Sequence, residues 1–391
     1  MLVRRCAVLW LEPRETAEFE LDALLSGGTG VVSQVQWFAH APQLEDALVL
    51  EDEDVLLLGR LSPTDWVQAG LLRDAHGNAR VDALLQLGLL VTDDAGFSPQ
   101  HAADERYRAQ HWFGLSAIAH ARSRWVGLDA AREVAEAGVD TAAGLVERYG
   151  TPPPVLHADF VQGDSHALPR VPHTAFDALL DRRSSCRNFD KASVLPMAAF
   201  SHVVERVFGA RGQVKGTEVF DMVKKTSPSG GAMHATEAYF IVHRVEGLAP
   251  GLYHYNAIEH AMRPIAWEGT PEALEAFARL AVGGQDWFSD APVQVALVPR
   301  FARNYWKYQN HPKAYRVAIL DVGHLSQTLL LTATELGLGA FITAAINEID
   351  IERAFGLTSF VESPIAVCGF GIRADRMTTP ELDPNRTSWP R

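Results

Sequence analysis

Ser227-Pro-Ser-Gly-Gly-Ala-Met-His-Ala-Thr-Glu-Ala-Tyr239 is a turn that runs directly into the strand Ala238-Tyr-Phe-Ile-Val-His243. Pro228 fixes one backbone dihedral, and Gly230-Gly231 opens conformations closed to other residues. Such a turn can present backbone N–H groups to a ligand at close range, although taken alone these residues are better explained as a plain structural turn. It matches neither the Walker pattern nor the G-x-G-x-x-G pattern, so nucleoside triphosphate and NAD lose their usual support. Working outward, Gly251-Leu-Tyr-His-Tyr255 is a second strand, paired with the first across a turn. Val293–Val298, Ala340–Ala345 and Ile365–Gly369 are further strands. The longest helix, Arg316–Leu336, is apolar around most of its circumference, which predicts burial on nearly every side. Glycines in Leu336-Gly-Leu-Gly339 end it. Helices and strands alternate from about residue 173 onward, so the fold class is α+β.

A second segment, Arg182-Arg-Ser-Ser-Cys-Arg-Asn-Phe189, carries three arginines and two serines within a few residues. Guanidinium forks and hydroxyls can converge on one anion. On an extended backbone Arg183, Ser185 and Arg187 alternate onto one side, a geometry that suits a phosphate. An exposed basic turn accounts for the same residues. The chain as a whole has 391 residues, 47 % hydrophobic and 21 % charged, an ordinary globular composition. Its net charge of -13 argues against non-specific nucleic-acid binding. Cys6, Cys186 and Cys368 are widely spaced and form neither a disulfide framework nor a metal pattern, which fits a reducing cytoplasm. The apolar run near the start stops at Glu12-Pro13, too short for a signal peptide. No stretch is apolar enough for a membrane span, so a cytoplasmic protein without a membrane partner is expected.

Together and in order, these segments resemble the nitroreductase-like flavoproteins, and within them the SagB-type dehydrogenase branch. Arg183-Ser-Ser-Cys-Arg-Asn-Phe189 resembles the RRSxRxF opening, and Ser227–Tyr239 is similar to the PSGGALYPxExY segment. Gly251–Tyr255 resembles PGLYHY, and Tyr315-Arg-Val-Ala-Ile-Leu-Asp-Val-Gly-His324 with Leu336–Gly339 resembles YRxxLLDAGH…LGLG. The resemblance implies a nitroreductase-like domain over 173–391, with a mixed, mainly antiparallel sheet and FMN as cofactor. It implies a dehydrogenase acting on ribosomally made, modified peptides, in the manner of azoline oxidases and peptide maturation dehydrogenases. A precursor peptide and partner modification enzymes follow as partners, and a homodimer with the Arg316–Leu336 helix at its centre. By the same resemblance, Arg183, Ser185 and Arg187 hold the FMN phosphate and ribityl, and Ser229, Gly230 and Gly231 form a turn at the flavin. Ala344 and Ala345 bring a backbone N–H near flavin N5, and Arg373 is a late phosphate contact. The chain departs from the pattern in three places. Met233-His234-Ala235 replaces Leu-Tyr-Pro, Ser184 interrupts a double arginine, and Ala344 stands for glycine.

Oxidation of a C–H bond also needs a base. Lys307-Tyr308 resembles the Lys-Tyr pair of azole-forming members, and an ammonium beside a phenol favours the phenolate. Adjacent residues share no helix or strand face, so the pair converges only in an irregular turn near Pro312. Two surface residues are the bland alternative. Asp321, His324 and Gln327 lie along one face of the long helix. No histidine set has zinc spacing, so no metal is expected, and His157, His166 and His173 fall in or beside a linker. Cys186 is read as buried filler.

Upstream, residues 1–100 suit a small winged-helix-like module, of a kind that binds DNA or peptide or merely packs, with peptide binding kept as one role open to it. Ala7–Leu11, Val31–Phe38 and Val55–Leu58 are its strands, and Glu51–Asp54 a solvated turn. Ser62-Pro-Thr-Asp65 starts a helix. Val81–Gly96 runs helix, strand and wing turn, the wing's Asp93 and Asp94 disfavouring DNA. Residues 101–172 form a helical connector and a linker broken by Thr151-Pro-Pro-Pro-Val155. Two other functions stay open: an NAD(P)H-dependent small-molecule reductase on the same fold, and a non-catalytic peptide-binding scaffold.

Overall fold

A computed structural model describes residues 1–156 and 166–389. The chain divides into two compact units, Met1–Arg124 with Phe301–Arg316, and Trp125–Arg300 with Val317–Arg391. The composition breaks at 100 and 172 are not where the units part. His157 and the centre of the linker lie outside the described residues.

The N-terminal unit has strands β1 (Leu2–Arg5), β2 (Trp10–Phe19), β3 (Val31–His40), β4 (Leu48–Leu50), β5 (Val67–Gln68) and β6 (Leu90–Thr92). They form two antiparallel three-stranded sheets, β5-β1-β6 and β2-β3-β4. One core of Val3, Leu57, Leu58, Val81, Leu85 and Leu90 with their neighbours joins the strands to the helices Asp52–Arg60 and Asn78–Gln86. Three expectations need correction. Val55–Leu58 belongs to the helix Asp52–Arg60, because Glu51 and Asp54 form a capping box and the first turn holds three acids. The Ser62 hydroxyl accepts the Thr64 and Asp65 N–H groups in a local turn, so the next helix waits until Ala69–His76. No wing follows β6. Asp94 accepts the Gly96 N–H and the chain enters the helix Ser98–Ala109, while β6 pairs with β1.

The C-terminal unit has a small hairpin, β7 (Gly212–Thr217) with β8 (Phe220–Lys224), and a six-stranded sheet. That sheet comprises β9 (Thr236–Val242), β10 (Gly251–Asn256), β11 (Ala261–Ile265), β12 (Val293–Pro299), β13 (Gly339–Thr343) and β14 (Ala366–Gly371). Its order is β11-β10-β9-β12-β14-β13, and each adjacent pair is antiparallel. The expected parallel contribution is reduced to isolated bridges such as Ser185 to Ala340. Strand residues alternate between two cores, as the two-residue period requires. Phe240, Val242, Val295, Leu297 and Phe370 face the helices Met197–Phe208 and Ala314–Glu335. Ile241, Ala296, Val298 and Val367 face the helices Pro271–Ala281 and Glu348–Phe355.

The Ala314–Glu335 helix corrects two expectations. It is long and apolar enough by composition to cross a membrane, yet half of that span is buried within the protein, as in a core helix. It is also not buried all round: Ile319 and Leu320 are 44 % and 54 % exposed, and His324 and Gln327 continue that open stripe.

Candidate functional site

The arginine segment follows the helix Ala175–Arg182, whose C-cap is Arg183, and continues extended. The Cys186 N–H bonds to the Ala340 carbonyl at 2.8 Å, which lays the segment beside β13. Cys186 points inward, and a Cβ on Gly339 would lie 2.4 Å from its sulfur, so glycine is required there. Burial pushes this thiol up to about 12, leaving it the inert filler expected. Alternation then brings Arg183, Ser185 and Arg187 to one cavity of about 430 Å³, shared with Pro380, Glu381 and Leu382. Among the described residues, neither guanidinium has an ion-pair partner and the Ser185 hydroxyl has no hydrogen bond. Two uncompensated guanidiniums and a hydroxyl around one cavity are a donor set for a doubly charged oxyanion. They fit the phosphate of FMN.

Arg373 joins the cluster in a different way. It lies opposite Phe189 in an isolated bridge, and both terminal nitrogens donate to Glu381, at 3.0 and 2.9 Å. One of them also donates to Ser184 Oγ at 2.8 Å. Its donors are committed inside the protein. The Glu381 side chain is fully buried, and its carboxylate also accepts from the Arg187 N–H, Asn188 Nδ2 and Trp389 Nε1 at 2.6–2.8 Å. Asn188 extends the knot, since its Oδ1 accepts the Thr378 and Thr379 N–H groups and its Nδ2 donates to the Thr379 carbonyl. Glu381 and Asn188 were missed from sequence, because nothing local in the terminal Pro380-Glu381-Leu382 signals a partner almost two hundred residues away.

The glycine turn is clamped to the long helix. Ser229 Oγ donates to Asp321 Oδ2 at 2.5 Å and accepts the His234 N–H at 2.9 Å. The Gly230 N–H donates to Asp321 Oδ1 at 2.9 Å. A Cβ on Gly230 would lie 2.1 Å from Val317 Cγ1, and Gly231 has φ +60°. Ala232 and His234 also hold positive φ, a strained turn sustained by its clamp. Asp321 is thus a structural anchor, whereas His324 is exposed and lends its carbonyl to Ser227 Oγ. Beyond β13, the Ala345 N–H is taken by Thr343 Oγ1 and its carbonyl by Gln285 Nε2, both at 3.1 Å. Ala344 is exposed, and its N–H has no partner among the described residues.

Lys307 and Tyr308 lie in the other unit and are described there alone. Lys307 closes the helix Phe301–Lys307, and the Tyr308 N–H still reaches the Asn304 carbonyl at 3.3 Å. A turn through Asn310 follows, with φ +51°. The Lys307 ammonium sits 5.7 Å from the Tyr308 ring centroid, with Lys307 still in the helix rather than in the turn.

Two stability predictions follow from these clamps. Gly230→Ala should cost about 1–3 kcal/mol through overpacking against Val317, and Val317→Ala in the same chain should recover part of it. Urea denaturation of the four chains measures the coupling. Glu381→Ala should cost about 3–5 kcal/mol, because Arg373 is left charged and uncompensated. A loss below 1 kcal/mol in the same assay would contradict the buried knot.

The Nitroreductase family model matches residues 180–372. The chain is 33% identical over 147 residues to the trifolitoxin-processing protein TfxB of Rhizobium leguminosarum bv. trifolii, covering 37% of this chain and 38% of that protein. It is 24% identical over 153 residues to the microcin B17-processing protein McbC of Escherichia coli, covering 38% of this chain and 54% of that one. In both cases the chain spans well under two thirds of the relative. Among solved structures, the E. coli microcin synthetase McbBCD complex with truncated pro-MccB17 bound contains a chain alike in fold, with TM-score 0.50 and 19% identity over 68% of this chain and 97% of that one. The arginine segment, glycine turn, long helix and six-stranded sheet all fall within the matched stretch, and residues 180–372 are a Nitroreductase family domain.

Proposed function

We propose that the chain is an FMN-dependent dehydrogenase of the SagB type that oxidises a ribosomally made, modified peptide, an azoline-to-azole conversion or a related two-electron step. The observation that carries the cofactor is the cavity lined by Arg183, Arg187 and Ser185, whose two guanidiniums have no ion-pair partner among the described residues, Glu381 at its wall being paired with Arg373. The peptide reading is supported by likeness to proteins named for trifolitoxin and microcin B17 processing. Taking two electrons from a C–H bond is the chemistry FMN supplies when bound. Arg183, Arg187 and Ser185 hold its phosphate, while Glu381 fixes the Arg187 backbone and keeps Arg373 in place behind them. The clamped turn at Ser229, Gly230 and Gly231 gives a rigid close approach, and the Ala344 N–H offers a donor from the loop held by Gln285. Tyr308, with Lys307 beside it, is the candidate base for the substrate proton. The open stripe on the Ala314–Glu335 helix supports a homodimer, and partner modification enzymes would deliver the peptide.

Purified protein should carry about one FMN per chain, and Arg183→Ala with Arg187→Ala should lose most of it while the circular dichroism spectrum is unchanged. A folded wild type that cannot be reconstituted with FMN would sink the cofactor assignment. Tyr308→Phe should keep the flavin spectrum but slow peptide-dependent bleaching by roughly 10²–10⁴ in anaerobic stopped flow. Wild-type rates would remove Tyr308 from the chemistry. Bleaching by NAD(P)H with no response to peptide would instead favour a small-molecule reductase.

A further inference from the structure

The N-terminal unit contains a cleft of about 720 Å³ that the flavin chemistry does not use. One wall is Leu48, Val49 and Leu50, the whole of β4. Successive strand side chains point to opposite faces, so a cleft lined by three consecutive residues lies along the strand's edge. β4 is an edge strand, paired with β3 on one side and, among the described residues, with no strand on the other. The opposite wall belongs to the helix Asn78–Gln86, where Ala79 and Ala83 present only methyl groups and Leu87 adds apolar surface just beyond. An open strand edge facing small apolar side chains is what an added strand needs: backbone partners on one side and room for side chains on the other.

Charge selects the occupant. Glu51 and Asp54 line the cleft at the end of β4, and Glu53 lies beside them. Arg80, across the cleft, pairs with Glu51, Glu53 and Asp54 at 2.8–2.9 Å. Three carboxylates, Glu51, Glu53 and Asp54, therefore share one guanidinium and leave a net negative charge at this end, with His76 also at the wall. A second copy pairing edge to edge would bring two such acidic groups together and be repelled. Nucleic acid is repelled for the same reason. An extended peptide with alternating apolar and basic residues meets both the apolar wall and the negative end.

We propose that this cleft binds such a basic, apolar peptide segment as an added strand on β4, holding the substrate by a part that is not oxidised. The proposal rests on the reading of the enzyme as peptide-directed, and it assigns recognition to a site separate from the flavin cradle.

The test uses the full-length, flavin-loaded protein and a fluorescein-labelled decapeptide of alternating valine and lysine. Fluorescence anisotropy should show saturable binding, at least tenfold weaker for the valine–glutamate counterpart. Binding should also weaken at least tenfold when alternate amides of the probe are N-methylated. Ala83 is exposed, so Ala83→Trp should fill the cleft and weaken the probe at least tenfold with melting temperature and flavin content unchanged. Leu87→Lys, which changes charge rather than volume, should weaken it likewise. Equal affinity for the lysine and glutamate probes, or affinity untouched by both variants, would overturn the proposal. A concentration-dependent dimer abolished by Ala83→Trp would also overturn it, by showing a second copy on the edge. Peptide-dependent flavin bleaching is scored separately: if it persists while the cleft fails, the catalytic reading stands without this docking site.

Discussion

A carboxylate buried without water must find every partner inside the protein, or folding leaves a charge in low dielectric at a cost of several kcal/mol. Glu381 meets that demand with the Arg187 backbone, Asn188, Arg373 and Trp389. Because those partners come from the arginine segment, the stretch just after β14 and the terminal tail, satisfying one carboxylate sets the positions of all three. The knot also sets the charge of the cradle. Arg373 is neutralised by Glu381, so Arg183 and Arg187 remain as the uncompensated pair. A phosphate monoester carries a charge of about −1.5 to −2 near neutral pH, and two guanidiniums match it. Without Glu381 the same cluster would hold a third free cation and lose the support that holds Arg187 extended.

Asp321 plays the corresponding part for the glycine turn. The carboxylate receives Ser229 and Gly230 from a backbone that carries positive φ at Gly231, Ala232 and His234. Strain of that kind persists only where surrounding contacts over-determine it. Here the contacts come from a helix packed against a six-stranded sheet, so the turn inherits the rigidity of the core. Gln285 does similar work on the loop after β13, which leaves the Ala344 N–H as the open donor there.

Much of this was legible in the sequence because the signals were local. The β9–β10 pairing, the all-buried β12 and the long helix follow from periodicity, and the convergence of Arg183, Ser185 and Arg187 follows from strand alternation. Where the reading failed, another local device or a distant partner decided. Val55–Leu58 has a strand's composition, but the acids before it cap a helix whose face is buried by Leu57 and Leu58. The turn after β6 carries a wing's residues, but Asp94 caps the Gly96 N–H and the chain turns into the helix Ser98–Ala109 instead of returning as a strand beside β6. Hydropathy alone predicts the long helix buried on nearly every side, and the structure leaves Ile319 and Leu320 exposed. Glu381, Asn188 and Gln285 gave no signal at all, since each acts through partners brought close only by the fold.

Whether the arginine cavity is a phosphate site is measured most cleanly with two ligands that differ only in that group. Calorimetric titration of the apoprotein with FMN and with riboflavin isolates the contribution of the phosphate. FMN should bind at least a hundredfold more tightly, and the difference should shrink to less than tenfold when Arg183 and Arg187 are both alanine. Equal affinities of the unaltered protein for FMN and riboflavin would contradict a phosphate site there.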